Sequence, residues 1–204
     1  MAIAVLLLMG VTVAAPGALV SQLAWAIAGV EGVLLAALIL GDPGRIDRRS
    51  TWLRRVGLLL IAVMVGTALL LTGELIHDLV TGSAITSEPA TLLLAGAKVW
   101  LANNIAFALL YWQLDGGGPA QRAHRLPRYP DFGFPQLLNR DLAPPDWRPR
   151  FVDYLYLALT TANAFSPADT PPLATWAKVA MAVQALVSFV IVGLVIARAV
   201  NVFA

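Results

Sequence analysis

The sequence predicts an all-α fold, a polytopic transmembrane helical bundle of six helices, and three observations predict it. Hydrophobic residues make up 59% of the 204 residues and charged residues only 13%, where a water-soluble domain carries about 25% charged. The apolar residues fall into long runs separated by proline and glycine. The arginines collect in alternate connections between those runs. The length suits one unit, so 1–204 is read as a single transmembrane domain.

Crossing a hydrocarbon core about 30 Å thick takes about 20 apolar residues, with every backbone polar group bonded inside the segment. A closed β-barrel would instead need short strands of alternating polarity, and the runs here do not alternate. The first run, 2–15, ends at Pro16-Gly17 and lacks the basic start of a secretory signal peptide, so it is read as a first crossing; a start site a few residues upstream would lengthen it. The second, 19–40, is stopped by Gly41-Asp42-Pro43-Gly44. The third covers 56–77, and the fourth covers 90–112 and closes on Asp115 and Gly116-Gly117-Gly118. The fifth, 151–165, is about 22 Å long as a helix. It is read as a short crossing that tilt or local thinning of the bilayer accommodates; the alternative is five helices plus a re-entrant, pore-like segment at this place. The last run begins after Pro171-Pro172 and continues nearly to Ala204. Between the fourth and fifth runs, 113–150 holds three consecutive glycines and seven prolines, which predicts an irregular loop. Its Tyr129, Phe132, Phe134 and Trp147 suit packing on headgroups or on the bundle.

Basic residues favour cytoplasmic loops. Arg45, Arg48, Arg49, Arg54 and Arg55 lie together after the second run, Arg122, Arg125, Arg128, Arg140, Arg148 and Arg150 lie in or beside the long loop, and Arg198 lies near the end. The other connections, 16–22, 77–89 and 166–172, carry no Lys or Arg. Six crossings with both termini cytoplasmic satisfy all of these, in a bacterial plasma membrane. The 45–55 cluster also suits anionic lipid. Trp25 and Trp176 are expected at the outer face, Trp52 and Trp112 at the inner.

Ionisable and amide side chains inside a membrane are candidates for function. Here they are Glu31, Glu74, Lys98, Asn103 and Asn104. Depth counted along the helices brings Glu74 and Lys98 within about 7 Å of each other, so a Glu74–Lys98 pair is expected, serving a proton or ion path or fixing helix register. Glu74, His77 and Asp78 share a helical face and are the one candidate for a divalent metal; no metal site is otherwise expected. The last helix carries Ala177, Ala180, Gln184 and Ser188 as a small and polar stripe, then Gly193, Ala197 and Asn201, which suits close helix packing.

The segment 151–169 reads FVDYLYLALTTANAFSPAD, followed by two prolines and a long apolar helix. This resembles the pore loop and inner helix of potassium channels, so 151–204 is expected to form a pore-module-like hairpin. The resemblance implies a path lined by Thr160, Thr161 and Asn163, with Asp169 beside it. The sequence departs from the channel filter in having neither of its glycines, which allow a column of carbonyls to face the ion. The stretches YWQLD at 111–115, PDFGFPQ at 130–136, and 153–156 through 164–170 together resemble a group of uncharacterised actinobacterial-type multi-pass membrane proteins, in roughly the C-terminal half of the chain.

With no cysteine, disulfides and thiolate chemistry are excluded, and a net charge of +2 gives no case for nucleic acid. No HExxH, phosphate-binding glycine loop, nucleophile–base pair or paired catalytic carboxylates occur, so no enzyme and no cofactor are expected. The leading expectation is channel-like or transporter-like ion permeation, with the bilayer and further copies of the chain as partners. The alternative is a membrane scaffold or accessory subunit that docks an unidentified partner on the 113–150 loop.

Overall fold

The computed structural model describes residues 1–14, 18–41, 50–82, 88–124, 129–164 and 169–203. Arg45, Arg48, Arg49, Arg125 and Arg128, and residues 165–168, lie outside them.

The apolar runs become helices because each can satisfy its own backbone only that way. In chain order they are α1 (Ala2–Val13), α2 (Ala18–Gly41), α3 (Thr51–Thr81) and α4 (Pro89–Leu114), then the short α5 (Pro119–His124) and α6 (Pro135–Leu138), then α7 (Phe151–Ala164) and α8 (Thr175–Phe203). Ser50 caps α3, its hydroxyl accepting from the Leu53 N–H at 3.5 Å, and Gly82 ends that helix at φ +76°. Pro89 starts α4, where a missing N–H is harmless. Gly116, Gly117 and Gly118, all at positive φ, end it.

Helices α2, α3, α4 and α8 are long and apolar enough to cross a membrane. Their outward faces stay apolar: Val33, Leu59, Leu70 and Leu186 are all exposed. α4 is the hub. It packs against α1, α3, α7 and α8, and nearly all of its residues from Ala102 to Trp112 are buried.

Named contacts fix the direction of each helix. A Cβ on Gly57 would lie 2.5 Å from Gln113 Nε2, and a Cβ on Gly41 would lie 2.4 Å from a methyl of Leu53. The end of α2, the start of α3 and the end of α4 therefore share one end of the bundle, called here the loop end. At the other, far end, Lys98 Nζ donates to the Ala14 carbonyl (3.0 Å), and Arg198 approaches Gly82. α8 runs antiparallel to α4: Gly96 meets Val195, Asn103 meets Ser188, and Tyr111 meets Gln184.

α7 does not run the length of the bundle. Its first residue, Phe151, packs edge-on against Trp112 at the loop end. The chain after it is back at that same end: the Gly133 N–H donates to the Pro171 carbonyl (2.9 Å) and the Leu173 N–H to the Asp131 carbonyl (2.8 Å), with Phe132 and Pro172 forming an isolated bridge. So α8 also starts at the loop end and finishes at the far end. The short crossing expected over 151–165, with six crossings and both chain ends on one side, would leave its two flanks at opposite ends of the bundle, whereas the chain before and after α7 lies at the loop end. The 14 residues of α7 make about 21 Å of helix, whereas the 26 of α4 make about 39 Å, and the chain returns along α7 instead of continuing past its end. Trp176, expected opposite Trp112, shares the loop end with it, its indole N–H donating to Asp131 (3.2 Å).

Candidate functional site

The half-length α7 lies against α4 and α8, and polar side chains fill the seam. Asn103 and Asn104 come from the middle of α4, and Gln184 and Ser188 sit one turn apart on α8; all four are fully buried. Tyr111 Oη donates to Gln184 Oε1 at 2.6 Å. Gln184 Nε2 donates to the Ala158 carbonyl of α7 at 2.9 Å, and more distantly to Asn104 Oδ1 at 3.4 Å. Asn104 Nδ2 donates to the Trp100 carbonyl (2.8 Å), and Asn103 Nδ2 to Ser188 Oγ (2.9 Å). Asn103 Oδ1 is buried with no partner among the described residues. Gln184 thus ties three helices together through one amide.

α7 carries the residues of the pore-loop resemblance. Thr161 is buried, its hydroxyl donating back to the Leu157 carbonyl (2.8 Å). The Thr160 hydroxyl bonds the carbonyls of Tyr156 and Leu157, both at 3.0 Å. Asn163, in the last turn, is exposed. Asp169 lies on the returning chain and accepts from Tyr156 Oη (3.3 Å). Thr160, Thr161 and Asn163 therefore share the last two turns of α7, Asp169 meets that helix earlier, at Tyr156, and Asn103 and Asn104 lie in the seam between α4 and α8.

The remaining candidates lie elsewhere. Glu31 is completely buried in α2 beside Thr67 of α3, whose hydroxyl donates to the Val63 carbonyl (3.0 Å), and neither carboxylate oxygen makes a hydrogen bond of good geometry among the described residues. Glu74 is half-buried on α3. Lys98 gives its hydrogen bond to the Ala14 carbonyl rather than to Glu74. Among the described residues no group of three or more His, Asp or Glu side chains could hold a metal ion, so Glu74, His77 and Asp78 do not form a site by their spacing alone. Gly193, Ala197 and Asn201 face outward on α8, whereas Ala177, Gln184 and Ser188 face the seam.

A second cluster locks the base of the hairpin. Arg122 is buried; one guanidinium nitrogen donates to the Asp115 carbonyl and the other to the Trp112 carbonyl (2.8 Å), capping the end of α4. Its charge lies 3.9 Å from the Asp115 carboxylate and over the ring of Tyr154. Tyr154 Oη donates to Asp115, and the Gly116 N–H donates to Asp131 (2.8 Å). Phe132 sits among Tyr111, Tyr154 and Trp176, with ring centroids 5.3 to 6.3 Å from its own. Asp115 is thus held by Arg122 and Tyr154 through one carboxylate oxygen, while its other oxygen is buried with no partner among the described residues, and the cluster joins the end of α4 to the start of α7. Residues of 111–115, 130–136 and 153–156, distant in sequence and quoted above for one resemblance, meet at this joint. The readable signal was the tyrosines: a buried Tyr hydroxyl needs a partner, and Tyr111 and Tyr154 both lie in apolar runs.

Comparison with known protein families, with characterised proteins and with solved structures finds no match for this chain.

Proposed function

We propose that the chain is a channel-like membrane protein that passes a small cation, working as a homo-oligomer, with α7 as a re-entrant half-helix. In this reading α2, α3, α4 and α8 cross the bilayer as long helices, and the 12-residue α1, which reaches from Met1 at the loop end to Ala14 beside Lys98, makes a fifth passage, with α7 as one re-entrant segment. Arg54, Arg55, Arg122, Arg148 and Arg150 belong to the loop end, which the positive-inside preference assigns to the cytoplasm. The N-terminus is then inside and the C-terminus outside.

One observation carries the reading: α7 ends part-way through the bundle with Asn163 uncovered. Ala158, midway along α7, already sits beside Gln184, about 13 Å along α8 from its start. Asn163 lies more than a turn beyond. An exposed amide at that depth is unfavourable against lipid, and a neighbouring copy that encloses it removes the conflict. The last carbonyls of a helix have no intrahelical donors and carry partial negative charge, so a ring of such ends around an axis attracts cations. The likeness of 151–204 to a pore loop followed by an inner helix points the same way.

The test is ion flux in proteoliposomes. Asn163→Leu should abolish cation flux while the protein keeps its thermal stability, and unchanged flux refutes the assignment. The scaffold reading draws on a different observation, that Tyr111, Gln184 and Asn104 satisfy one another within one chain. It predicts no flux from the purified protein, and a partner that is lost when the 113–150 segment is replaced by Gly/Ser.

A further inference from the structure

We propose that the loop end of the bundle holds one anionic phospholipid in a cavity between α1, α2, α3 and the glycine turn after α4, with the lipid phosphate against Arg54. The inference depends on the chain residing in a membrane and is independent of whether it conducts.

The cavity is open on one side and has a volume of about 510 Å³, within the range of roughly 300–1,000 Å³ of small-ligand pockets, so it takes the headgroup and first chain carbons of a lipid whose tails run out along α2. Its lining is divided by chemistry. Leu35, Leu38 and Ile39 of α2 and Trp112 of α4 form an apolar wall, while Arg54 and Gln113 supply the polar part. Gly57 shapes the boundary between them. It is fully buried, and any Cβ there would lie 2.5 Å from Gln113 Nε2, so glycine leaves the amide its place on the wall.

Arg54 is the decisive residue. It is exposed in the first turn of α3. Among the described residues no carboxylate lies within ion-pair distance of it. Among the described residues its guanidinium is therefore uncompensated at the rim of an apolar cavity, and a planar guanidinium suits a phosphate through paired hydrogen bonds. Trp52, also exposed, stands two residues away at the same end of α3, as an interfacial anchor would. In sequence the stretch 42–55, which includes Ser50, another residue of the lining, carries five arginines against Asp42 and Asp47, so its net charge is positive. An inorganic anion would leave the apolar wall unused. A zwitterionic lipid would bring a second positive charge beside Arg54. An anionic phospholipid matches both halves.

The experiment measures thermal unfolding of the full-length protein in a neutral detergent. Phosphatidylglycerol, phosphatidylcholine or glycerol phosphate is added at equal concentration. Phosphatidylglycerol at about ten times its Kd should raise Tm by about 4 °C; phosphatidylcholine and glycerol phosphate should leave it unchanged. Arg54→Gln should remove the rise. Arg55→Gln, which changes an adjacent exposed arginine outside the lining, should keep it. Leu38→Trp, which fills the apolar part, should remove the rise with Arg54 intact; if that variant does not fold, the two arginine variants decide. Equal rises with both lipids, a rise with glycerol phosphate alone, or equal losses in Arg54→Gln and Arg55→Gln would each overturn the proposal.

Discussion

Replacing Gln184 with leucine tests whether the seam between α4, α7 and α8 is held by its polar layer. Leucine keeps most of the volume, so the loss is one of hydrogen bonds and not of packing. Tyr111 Oη loses its 2.6 Å acceptor and becomes a buried orphan donor, which costs about 1–3 kcal/mol. The Ala158 carbonyl loses the 2.9 Å donor but keeps its helical one, a smaller loss of about 0.6 kcal/mol by the average for polar contacts between membrane helices. The 3.4 Å contact to Asn104 adds little. The expected total is about 2–3 kcal/mol, read from reversible unfolding in detergent. Tyr111→Phe removes the orphan, so the double variant should be less destabilised than the sum of the singles by about 1 kcal/mol. A Gln184→Leu variant within about 0.5 kcal/mol of the parent, or a strictly additive double variant, would show that the amide does not join the three helices.

Three further outcomes follow from the same geometry. With no native cysteine, single cysteines at Gln121, Asp169 and Asn201 can be probed in intact cells with a membrane-impermeant maleimide; Gln121 and Asp169 should behave alike and Asn201 oppositely, whereas labelling of Asp169 alone would restore six crossings. Gly96→Val should cost about 1–3 kcal/mol by overpacking, because a Cβ there would lie 2.7 Å from Val195 Cγ2, and adding Val195→Ala should recover most of it; a single variant as stable as the parent would mean that α4 and α8 are not in close contact there. Arg122→Met should cost about 3–5 kcal/mol by leaving the buried Asp115 without its cation, and Asp115→Asn in that background should restore stability; a further loss instead would show that the carboxylate serves the fold without the arginine.

Hydrocarbon thickness explains why the long helices were legible. The runs at 56–77 and 90–112 appear inside Thr51–Thr81 and Pro89–Leu114, because nothing but an internally bonded helix suits so many consecutive apolar residues. The path of α7 was harder to read for a different reason. Sidedness was inferred by giving each run one passage, and the arginines beyond the fifth run reduce to Arg198 alone. One cation weighs little against the length of a helix. The shortness of 151–165 was the better signal, and the re-entrant alternative rested on it.

The same division holds at the site. Asn103, Asn104, Gln184 and Ser188 stand out as polar residues in apolar runs, so their burial between helices could be expected. Their pairing could not, because α8 pairs with α4 in opposite senses depending on whether α7 crosses or returns. Once α8 starts at the loop end, Gln184 falls level with Tyr111 and Ser188 with Asn103. Glu31 shows the complementary case. Its depth was evident from its place in the run, but its neighbour Thr67 was not, and Lys98, expected to pair with Glu74, reaches to the Ala14 carbonyl at the end of α1. The end of α7 differs from both: Asn163 is polar and uncovered, and the proposed homo-oligomer is the reading that would enclose it.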